Sequence, residues 1–376
     1  MQRREFLKTT AAAAVTAPAT GLAASVTAAT HAQAAGPARA ALDTPSIHAG
    51  LRTLRLHSPL LDARGSAGDQ ARRLAHRLAT ASEDGRWHIE HAAPDTSADR
   101  PRAYSLVAVA SGHADLSIDL VSEIPLRRPD DAYFAGLPGG IGMDAAALDG
   151  WLRAGGGQEL WDELLAEIGA KPLLAGCTGP APTLWSRTPI KTTADLRGRA
   201  VALSAAGAMV ADALGTVARL TGSEPVDALA TGAIDIAETP DASMATRQGF
   251  AAAAPYGYAS PFAHHGQTIA LHVRRALWDT MTAGDRAVLE AITAEALAVA
   301  HADHAADRAM AAMVAAASPG LLPSLRPLAP EIARAVRTLA ATVVADGATS
   351  AAITRRIDAS YMAFRRATLP DVFSVA

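Results

Sequence analysis

The sequence predicts an α/β fold whose sheet is largely parallel, and three observations lead to that prediction. Between residues 51 and 120, short apolar stretches of strand length are separated by a segment whose apolar residues recur at helical spacing. The order of strand, helix and strand is typical of a parallel sheet covered by helices. The chain has 376 residues, of which 50% are apolar and 19% charged, so it is long enough for two domains with a sizeable core.

The first elements follow in order from their side-chain patterns. Leu51–His57 alternates Leu with Arg or Thr and predicts a strand with one buried face, whereas Asp69–Thr80 has the apolar spacing of a helix. Trp87–Glu90 and Ala114–Leu120 predict two further strands. Tyr104–Ala110 is apolar almost throughout, so its residues fit a helix or a strand.

Two helices are predicted on either side of a glycine triplet. Ala145–Trp151 and Gln158–Ile168 have helical apolar spacing, and Gly155-Gly156-Gly157 separates them. A glycine triplet can cradle a phosphate, but no Walker-type Lys-Ser or Lys-Thr follows this one, and no G-x-G-x-x-G precedes the helix. The triplet therefore indicates a turn or a hinge rather than a nucleotide-binding loop.

The second half of the chain predicts short strands followed by long helices. The predicted strands are Pro172–Gly176, Ala200–Leu203, Ile234–Glu238 and Thr268–Val273. The predicted helices are Ala208–Leu214, Glu224–Ala230, a segment that begins at the capping residue Thr282, Pro330–Val344 and Ala351–Arg366.

The amino terminus has the features of an export signal. Arg3 and Arg4 precede Phe6 and Leu7, a mildly apolar Ala/Thr-rich stretch follows, and residues 32–34 offer a small-x-small cleavage site. This pattern predicts a twin-arginine (Tat) signal peptide over residues 1–34, a linker over 35–49 and a soluble, periplasmic mature chain. A disordered Ala-rich tail is the alternative. No other apolar run is long enough to span a bilayer.

Composition and motifs exclude several classes of protein. A formal net charge of −3 and a pI near 6.5 give no broad basic field for nucleic acid. The lone Cys177 cannot form an internal disulfide and is typical of a small buried apolar residue. No G-x-S-x-G, H-E-x-x-H, C-x-x-C or EF-hand motif occurs, so the residues predict no catalytic site. His301 and His304 fit either a metal site or a solvated helix face.

Two acidic residues flank a short apolar strand, because Asp235 and Glu238 lie in the segment Ile234-Asp-Ile-Ala-Glu238. An acid at the carboxyl end of a strand commonly lines the ligand cleft of an open α/β sheet. Solvation of both acids fits the residues as well. The residues alone therefore predict an exported α/β protein with a candidate ligand cleft.

Several blocks of the sequence resemble one known family. They are Phe134-Ala-Gly-Leu-Pro-Gly139, Gly155-Gly-Gly-Gln-Glu-Leu-Trp-Asp-Glu-Leu164, Asp195-Leu-Arg-Gly198 and Thr231-Gly-Ala-Ile-Asp-Ile-Ala-Glu238, with Ser111-Gly-His-Ala-Asp115 and Trp185-Ser-Arg187 as weaker matches. In this order they are similar to the extracytoplasmic solute-binding subunits of TRAP (tripartite ATP-independent periplasmic) transporters. The likeness is closest to the branch that binds 2-oxo acids and related monocarboxylates, and it covers roughly residues 50 to 300.

The resemblance implies a periplasmic-binding-protein-like fold, in which two α/β domains surround a ligand cleft and are joined by hinge strands and long C-terminal helices. It implies a first domain over residues 50–177, completed by about 262–300, a second over 178–261, and helices over 301–376 that pack on both. It also favours a helix for Tyr104–Ala110.

The same resemblance implies how the protein works. A small organic solute would be captured in the closing cleft and delivered to membrane permease subunits, with no chemistry on the solute. No cofactor is implied, except an optional cation bound with the ligand. A homodimer through the C-terminal helix is one option.

The positions that contact the ligand in this family depart from the family pattern here. The residues expected from the resemblance to line the cleft are Ala181, Ala202, Glu238, Thr239, Phe262 and His264. The family's carboxylate-binding Arg corresponds to Ala202, and only Glu238 keeps its residue type. Glu238 would accept hydrogen bonds or coordinate a cation.

The missing guanidinium leaves three explanations open. A guanidinium suits a carboxylate because its planar donors form two parallel hydrogen bonds, so Arg127, Arg128 or Arg199 would have to replace it. Alternatively, the solute is neutral or cationic and is held by Glu238. Otherwise, solute binding is vestigial.

Two other functions are compatible with the sequence. A Tat-exported, metal-assisted hydrolase using Glu238 and His264 would purify with stoichiometric metal. A non-transporting sensory or interaction protein on the same scaffold would be encoded beside a sensor kinase rather than beside permease subunits.

Overall fold

The computed structural model describes residues 52–63, 65–81, 87–91, 104–121, 129–179, 182–218, 225–239, 242–262, 266–317 and 325–368. By its internal contacts the chain divides into residues 1–47 and residues 48–376, and every described residue belongs to the second unit. The predicted signal peptide and linker therefore lie outside the described residues.

Ten β-strands and thirteen α-helices occur among the described residues. The strands are β1 (Arg52–His57), β2 (Trp87–His91), β3 (Leu116–Leu120), β4 (Ala170–Cys177), β5 (Thr183–Ser186), β6 (Ala200–Ala202), β7 (Val217–Ala218), β8 (Ile236–Thr239), β9 (Tyr256–Ala259) and β10 (Thr268–Arg274). The helices are α1 (Ser66–Ala81), α2 (Tyr104–Ala110), α3 (Ala132–Ala135), α4 (Ala145–Ala154), α5 (Gly157–Ala166), α6 (Ala205–Ala213), α7 (Pro225–Thr231), α8 (Ala242–Gln248), α9 (Phe250–Ala253), α10 (Arg275–Thr280), α11 (Ala283–Ala317), α12 (Pro330–Ala348) and α13 (Ala352–Thr368).

The first sheet has the strand order β2-β1-β3-β10-β4. Strands β1, β2 and β3 are parallel, as the sequence predicted, whereas β10 runs antiparallel to both β3 and β4. Leu54 and Leu56 of β1 and Leu74 and Leu78 of α1 share one apolar core. Apolar side chains at helical spacing on α1 thus bury one stripe against the strands, which is why this segment is a helix.

The second sheet has the order β7-β6-β8-β5-β9. Strand β6 is parallel to β7 and β8, and β5 is antiparallel to β8 and β9. The two sheets confirm the predicted α/β class, and each predicted element overlaps an observed one. Strands β5, β7 and β9 were not predicted.

The chain crosses between the sheets twice, after β4 and again before β10. The two crossings touch at glycines, since a Cβ on Gly266 would lie 2.0 Å from the carbonyl oxygen of Gly179. Both glycines have positive φ, 101° at Gly179 and 76° at Gly266, which side chains disfavour. Only glycine fits both positions without moving the backbone.

Side chains from two helices hold the end of β4 at the first crossing. The carbonyl oxygen of Cys177 accepts hydrogen bonds from Gln70 Nε2 at 2.7 Å and from His304 Nε2 at 2.9 Å. Gln70 Oε1 also accepts from the Cys177 amide at 3.2 Å. Burial raises the pKa of the Cys177 thiol to about 11, in keeping with a buried apolar role.

The two sequence blocks with the strongest resemblance form the aromatic core beside the first sheet. Phe134 stacks on Trp161 with ring centroids 4.9 Å apart and on Trp151 at 5.4 Å. The glycine triplet is a tight turn against the same core, because a Cβ on Gly157 would lie 2.6 Å from the Trp151 ring. The glycines therefore serve packing and chain reversal.

The carboxyl-terminal helices contact the cores of both sheets. Ile332, Val336 and Ala340 of α12 lie in the core of the second sheet. Val344 near the end of α12 lies in the Trp151 core, together with Tyr361 of α13. Among the described helices, none is both long enough and apolar enough to cross a membrane.

Candidate functional site

Glu238 lies near the carboxyl end of β8, where the parallel strand β6 also ends. Its Oε1 accepts a hydrogen bond from the Ser260 hydroxyl, and its Oε2 accepts one from the Ser204 amide at 3.3 Å. Ser204 follows β6 and Ser260 follows β9. Three strands of the second sheet thus bring these groups together at one edge, the usual ligand side of an open α/β sheet.

The Ser204 amide belongs to the start of a helix. Ser204 is the N-cap of α6, and its hydroxyl accepts from the Gly207 amide at 3.3 Å. Free amides and the helix dipole give a helix N-terminus a partial positive charge, which stabilises a nearby carboxylate. The donors around Glu238 therefore suit its ionised form.

The Thr239 hydroxyl is engaged inside the second sheet. Its Oγ1 lies 2.6 Å from Thr183 Oγ1, which also accepts from Trp185 Nε1 at 2.9 Å. Thr239 is only 2% exposed. The Thr239 hydroxyl thus ties β8 to β5, and Trp185 supports the Thr183 hydroxyl from within β5.

The structure brings two of the six predicted cleft residues to the same strand ends. Glu238 and Ala202 are partly exposed on adjacent strands, with Ala202 opposite Ala237. Phe262 is buried in the core of the second sheet. Ala181 and His264 lie outside the described residues, and the ligand-contacting roles of all six residues stay predictions.

Asp235 lies at the opposite end of β8 from Glu238. Its Oδ2 accepts from the Ala200 amide at 2.9 Å, and its own amide donates to the Ala200 carbonyl at 2.7 Å. Arg199 is engaged at the same end, with Nη1 3.8 Å from Asp235 Oδ1 and Nε 3.2 Å from the Asp195 carbonyl. Of the three arginines considered as replacements, Arg127 and Arg128 lie outside the described residues.

Asp115 makes the same backbone contacts in the first sheet. Its Oδ2 accepts from the Arg55 amide at 3.0 Å, and its amide donates to the Arg55 carbonyl at 2.8 Å. Burial raises the pKa of Asp115, but the Arg55 amide and the Arg274 guanidinium at 2.6 Å lower it by more. We call this pairing of an aspartate with the backbone of the neighbouring parallel strand a strand clip.

Sequence reasoning missed Ser204 and Ser260. The helix was predicted over Ala208–Leu214, whereas the observed α6 begins directly after Ser204, so the capping rule applied a few residues earlier could have found it. Ser260 follows a strand that was itself not predicted, and it acts on a carboxylate 22 residues earlier. Nothing in the local pattern of Ser260 indicates that contact.

Other clusters in the described residues do not form a second candidate site. A cavity of about 400 Å³ lies between α4, α5, β4 and α11. Its buried Lys171 is paired with Asp162 at 2.5 Å, and its Arg153 with Asp149 at 2.7 Å. In the part of the chain that the structure describes, no three His, Cys, Asp or Glu residues are grouped so as to hold a metal ion.

Comparison with known proteins identifies a family and a fold. Residues 136–346 match the family described as bacterial extracellular solute-binding protein, family 7 (DctP). A TRAP periplasmic solute-binding protein from Pseudoalteromonas atlantica, solved with sodium and pyruvate, is 21% identical with a TM-score of 0.73, covering 84% of this chain and 94% of its own.

Two further solved structures agree. A TRAP solute-binding protein from Bordetella bronchiseptica, a mixed-occupancy dimer with copurified calcium and picolinate, is 23% identical with a TM-score of 0.72, covering 84% of this chain and 91% of its own. One from Colwellia psychrerythraea with calcium and pyruvate is 20% identical with a TM-score of 0.72, covering 84% and 94%. These likenesses confirm the predicted two-domain fold.

Proposed function

The chain belongs to family 7 of the bacterial extracellular solute-binding proteins, and from that premise we propose that it is the solute-binding component of a TRAP-type importer. The match covers more than half of the chain. The observation that carries the proposal is the Glu238 carboxylate, held at the carboxyl ends of β6 and β8 beside both crossings of the chain. In this role the protein binds its solute and does not change it chemically. The family match therefore gives no support to the alternative of a metal-assisted hydrolase.

The proposed solute is a small organic acid, by family a 2-oxo acid or a related monocarboxylate. Support comes from the pyruvate and picolinate bound by similar structures. Ala202 supplies no donor for a carboxylate, and Arg199 is engaged at the far end of β6. The charge at the described strand ends comes from Glu238, which favours a solute that also offers a donor or a positive group to it.

A cation bound with the solute is a separate question. Sodium or calcium accompanies the ligand in the similar structures. Within the described residues, one carboxylate lies at these strand ends, and both its oxygens already accept hydrogen bonds. We therefore assign no cation to this site and treat calcium as a variable in the binding experiment.

We propose that the solute is enclosed when the two sheets close on it by bending at the two crossings. The contact between Gly179 and Gly266 supports this, because both crossings pass one point where no side chain intervenes. Bending at such a point moves the sheets with little change inside either of them. Delivery to permease subunits would follow in the closed form.

A thermal-shift screen of the mature protein tests the solute-binding role. The compounds are 2-oxo acids, hydroxy acids, amino acids, amides and amines, each with and without calcium. A solute at a hundred times its Kd should add about 2.7 kcal/mol of stability. Glu238→Ala should abolish the shift, whereas Glu290→Ala, on the exposed face of α11, should keep it. A folded protein that responds to no compound would contradict the importer role.

We propose that two copies associate through the end of α11, which belongs to the predicted carboxyl-terminal helical segment 301–376. The end of α11 is largely exposed although it is rich in apolar residues, with Met310 38% and Met313 65% exposed. Neighbouring exposed apolar side chains of this kind are a feature of protein–protein interaction sites. Light scattering should give a dimer that Met313→Lys converts to a monomer, while Val107→Lys, elsewhere on the surface, leaves it intact. A wild-type monomer at every concentration would refute this.

We further propose that the mature protein is periplasmic, which the family's extracellular character supports, and that the Tat pathway exports it. Arg3 and Arg4 carry this second proposal. Changing both to Lys should retain a reporter fused to residues 1–40 in the cytoplasm. Unchanged export of that variant would point to another route.

A further inference from the structure

Ser260 connects Glu238 to both segments that cross between the sheets. Its hydroxyl donates to Glu238 Oε1 and accepts from the Phe262 amide at 3.2 Å. Its own amide donates to the carbonyl of Pro182 at 3.0 Å. Pro182 ends the outgoing crossing and Phe262 begins the returning one. Ser260 is 5% exposed, so these contacts are shielded from water.

We propose that Ser260 is a positioning residue for solute binding: it fixes the orientation of the Glu238 carboxylate and links that carboxylate to the two crossings. The inference rests on the proposed function only in taking Glu238 as the group that meets the solute. The geometry around Ser260 stands without that premise.

The hydrogen-bonding capacity of a hydroxyl makes this link specific. A serine hydroxyl has one proton to donate and two lone pairs that accept. The proton goes to Glu238, and one lone pair receives the Phe262 amide. If a solute draws the carboxylate away, Ser260 loses its acceptor, and the returning crossing loses a fixed partner.

Ser260 and Ser204 each contact one oxygen of the Glu238 carboxylate. The Ser204 amide lies 3.3 Å from its oxygen, at the weak end of the hydrogen-bond range. The Ser260 hydroxyl therefore helps to set the direction of the carboxylate, and a rotation of the carboxylate would also disturb the weak Ser204 contact. Removing the Ser260 hydroxyl should loosen a contact that Ser260 does not itself make.

The link continues past the crossing. The Phe262 carbonyl accepts from the Gly139 amide at 2.9 Å. Gly139 is packed against α12, since a Cβ there would lie 2.6 Å from the Cβ of Ala340. A path of hydrogen bonds thus runs from Glu238 through Ser260 and Phe262 to Gly139, which packs against the helix that contacts both cores.

Amide hydrogen exchange without any solute tests the positioning. In Ser260→Ala, exchange at the Ser204 amide should rise about tenfold or more, because a charge-assisted bond elsewhere on the carboxylate is lost. Ser260→Thr keeps the hydroxyl and should restore slow exchange. Ser111→Ala, a hydroxyl removed in the first domain, should leave Ser204 unchanged. If Ser260→Ala does not fold, Ser260→Cys, a weaker donor, should change exchange in the same direction.

A double-mutant cycle with lactate as the probe tests the consequence for binding, because this monocarboxylate has a hydroxyl that can donate to Glu238. Ser260→Ala should weaken lactate binding about tenfold in the wild-type background and have little further effect in Glu238→Gln. Equal weakening in both backgrounds, or unchanged Ser204 exchange, would overturn the inference. If lactate does not bind the wild type, the proposed contact between Glu238 and a hydroxyl of the solute is wrong, and the exchange result still decides the role of Ser260.

Discussion

Three carboxylates have two different roles: Asp115 and Asp235 share one, and Glu238 has the other. Asp115 and Asp235 end the Ser-Gly-His-Ala-Asp and Thr-Gly-Ala-Ile-Asp motifs, and both accept the amide of a neighbouring parallel strand. Glu238, three residues after Asp235, instead lies where β6 and β8 end. The amino end of a strand thus holds structural acids, and the carboxyl end holds the candidate binding acid.

The strand clips should differ in strength because they differ in burial. The Asp115 side chain is 7% exposed and meets Arg274 at 2.6 Å, whereas the Asp235 side chain is 29% exposed and meets Arg199 only at 3.8 Å. We expect Asp115→Asn to lower the free energy of unfolding by about 2 kcal/mol and Asp235→Asn by about 1 kcal/mol or less. Urea denaturation measures both. Equal losses would show that burial does not set the strength of the clip.

A row of buried polar side chains crosses the first sheet. His57, Ser117 and His272 are register partners on β1, β3 and β10, and Ser117 Oγ lies 3.4 Å from His272 Nδ1. His57 Nδ1 lies 3.2 Å from the Ser105 hydroxyl of α2. Burial lowers the pKa of both histidines, that of His272 to about 4. Both are therefore neutral in the folded protein at neutral pH.

The histidine row should make stability fall in mild acid. In the unfolded chain the His272 imidazole is protonated near pH 6.5, whereas in the folded chain its pKa is about 4. Between these two pH values the unfolded chain binds more protons, so lowering the pH favours unfolding. We expect a loss of about 3 kcal/mol from His272 across that range. His272→Leu should flatten the pH profile of the unfolding free energy. A profile of unchanged slope would assign the acid sensitivity to other groups.

At the scale of elements, a glycine-rich loop fills the space between the returning crossing and α12. A Cβ on Gly136 would lie 2.9 Å from the carbonyl oxygen of Gly266, and Gly139 lies against α12. Both have positive φ, 108° and 68°. The loop therefore admits no side chain at either contact, and it transmits the position of the crossing to the helix.

Gly139→Ala should separate packing from backbone strain. The new methyl would lie 2.6 Å from the Cβ of Ala340, and overpacking of this kind costs about 1–3 kcal/mol beyond the strain of a positive φ. Gly156→Ala is the matched control, because Gly156 has φ 80° and nothing within 4 Å of its would-be Cβ. Thermal unfolding should place Gly139→Ala clearly below Gly156→Ala. Coincident melting temperatures would mean that α12 moves away at no cost.

The sequence predicted elements whose periodicity is long enough to detect, and also short runs such as Ala200–Leu203 and Ile234–Glu238 whose apolar residues mark a buried strand. Strand β1 alternates over six residues and α1 repeats over sixteen, so both are visible in the pattern. Strands β5 and β9 have four residues each, too few for a period to emerge, and they are strands because β8 and β5 pair with them. Tyr104–Ala110 fitted two structures locally, and tertiary packing makes it the helix α2.

The candidate site was predictable to the extent that it depends on strand ends. Glu238 was expected from the rule that ligands bind at the carboxyl ends of strands, and it lies near the carboxyl end of β8, while its contact with a solute stays a prediction. Ser260 does not follow from any local rule, because its contact depends on how β9 is placed beside β5 and β8. Ala202 shows that the carboxylate-binding Arg of the family is missing at this position. The sequence does not indicate which residue takes over its role.

At the scale of the whole molecule, α12 packs into the cores of both sheets and α13 packs into the first. Val336 of α12 packs with the second sheet, and Val344 of the same helix packs with the first. The Tyr361 hydroxyl of α13 accepts the Met143 amide at 2.6 Å, and burial raises its pKa strongly. Neither core is complete without these helices, so neither sheet should unfold alone.

Thermal unfolding should therefore be a single transition. Val336→Ala removes buried methyl groups from the second core and should lower stability by about 2 kcal/mol. Calorimetry and circular dichroism should show the same single midpoint before and after the change, because loosening one core loosens the shared helix. Two resolved transitions in the variant would contradict the coupling.

The matching strand clips have a consequence for how the chain assembles. Asp115 recognises the amide of Arg55, and Asp235 recognises that of Ala200, but a backbone amide looks the same on every strand. Neither clip can tell its own strand from the equivalent strand of the other half. The apolar side chains of the strands therefore determine which strands pair. These are Leu54 and Leu56, which pack with α1 in the first half, and Val201 in the core of the second half. Because both halves of the chain use the same clip, a strand of one half could pair with the equivalent strand of the other half during folding. The shapes of the apolar side chains prevent this mispairing.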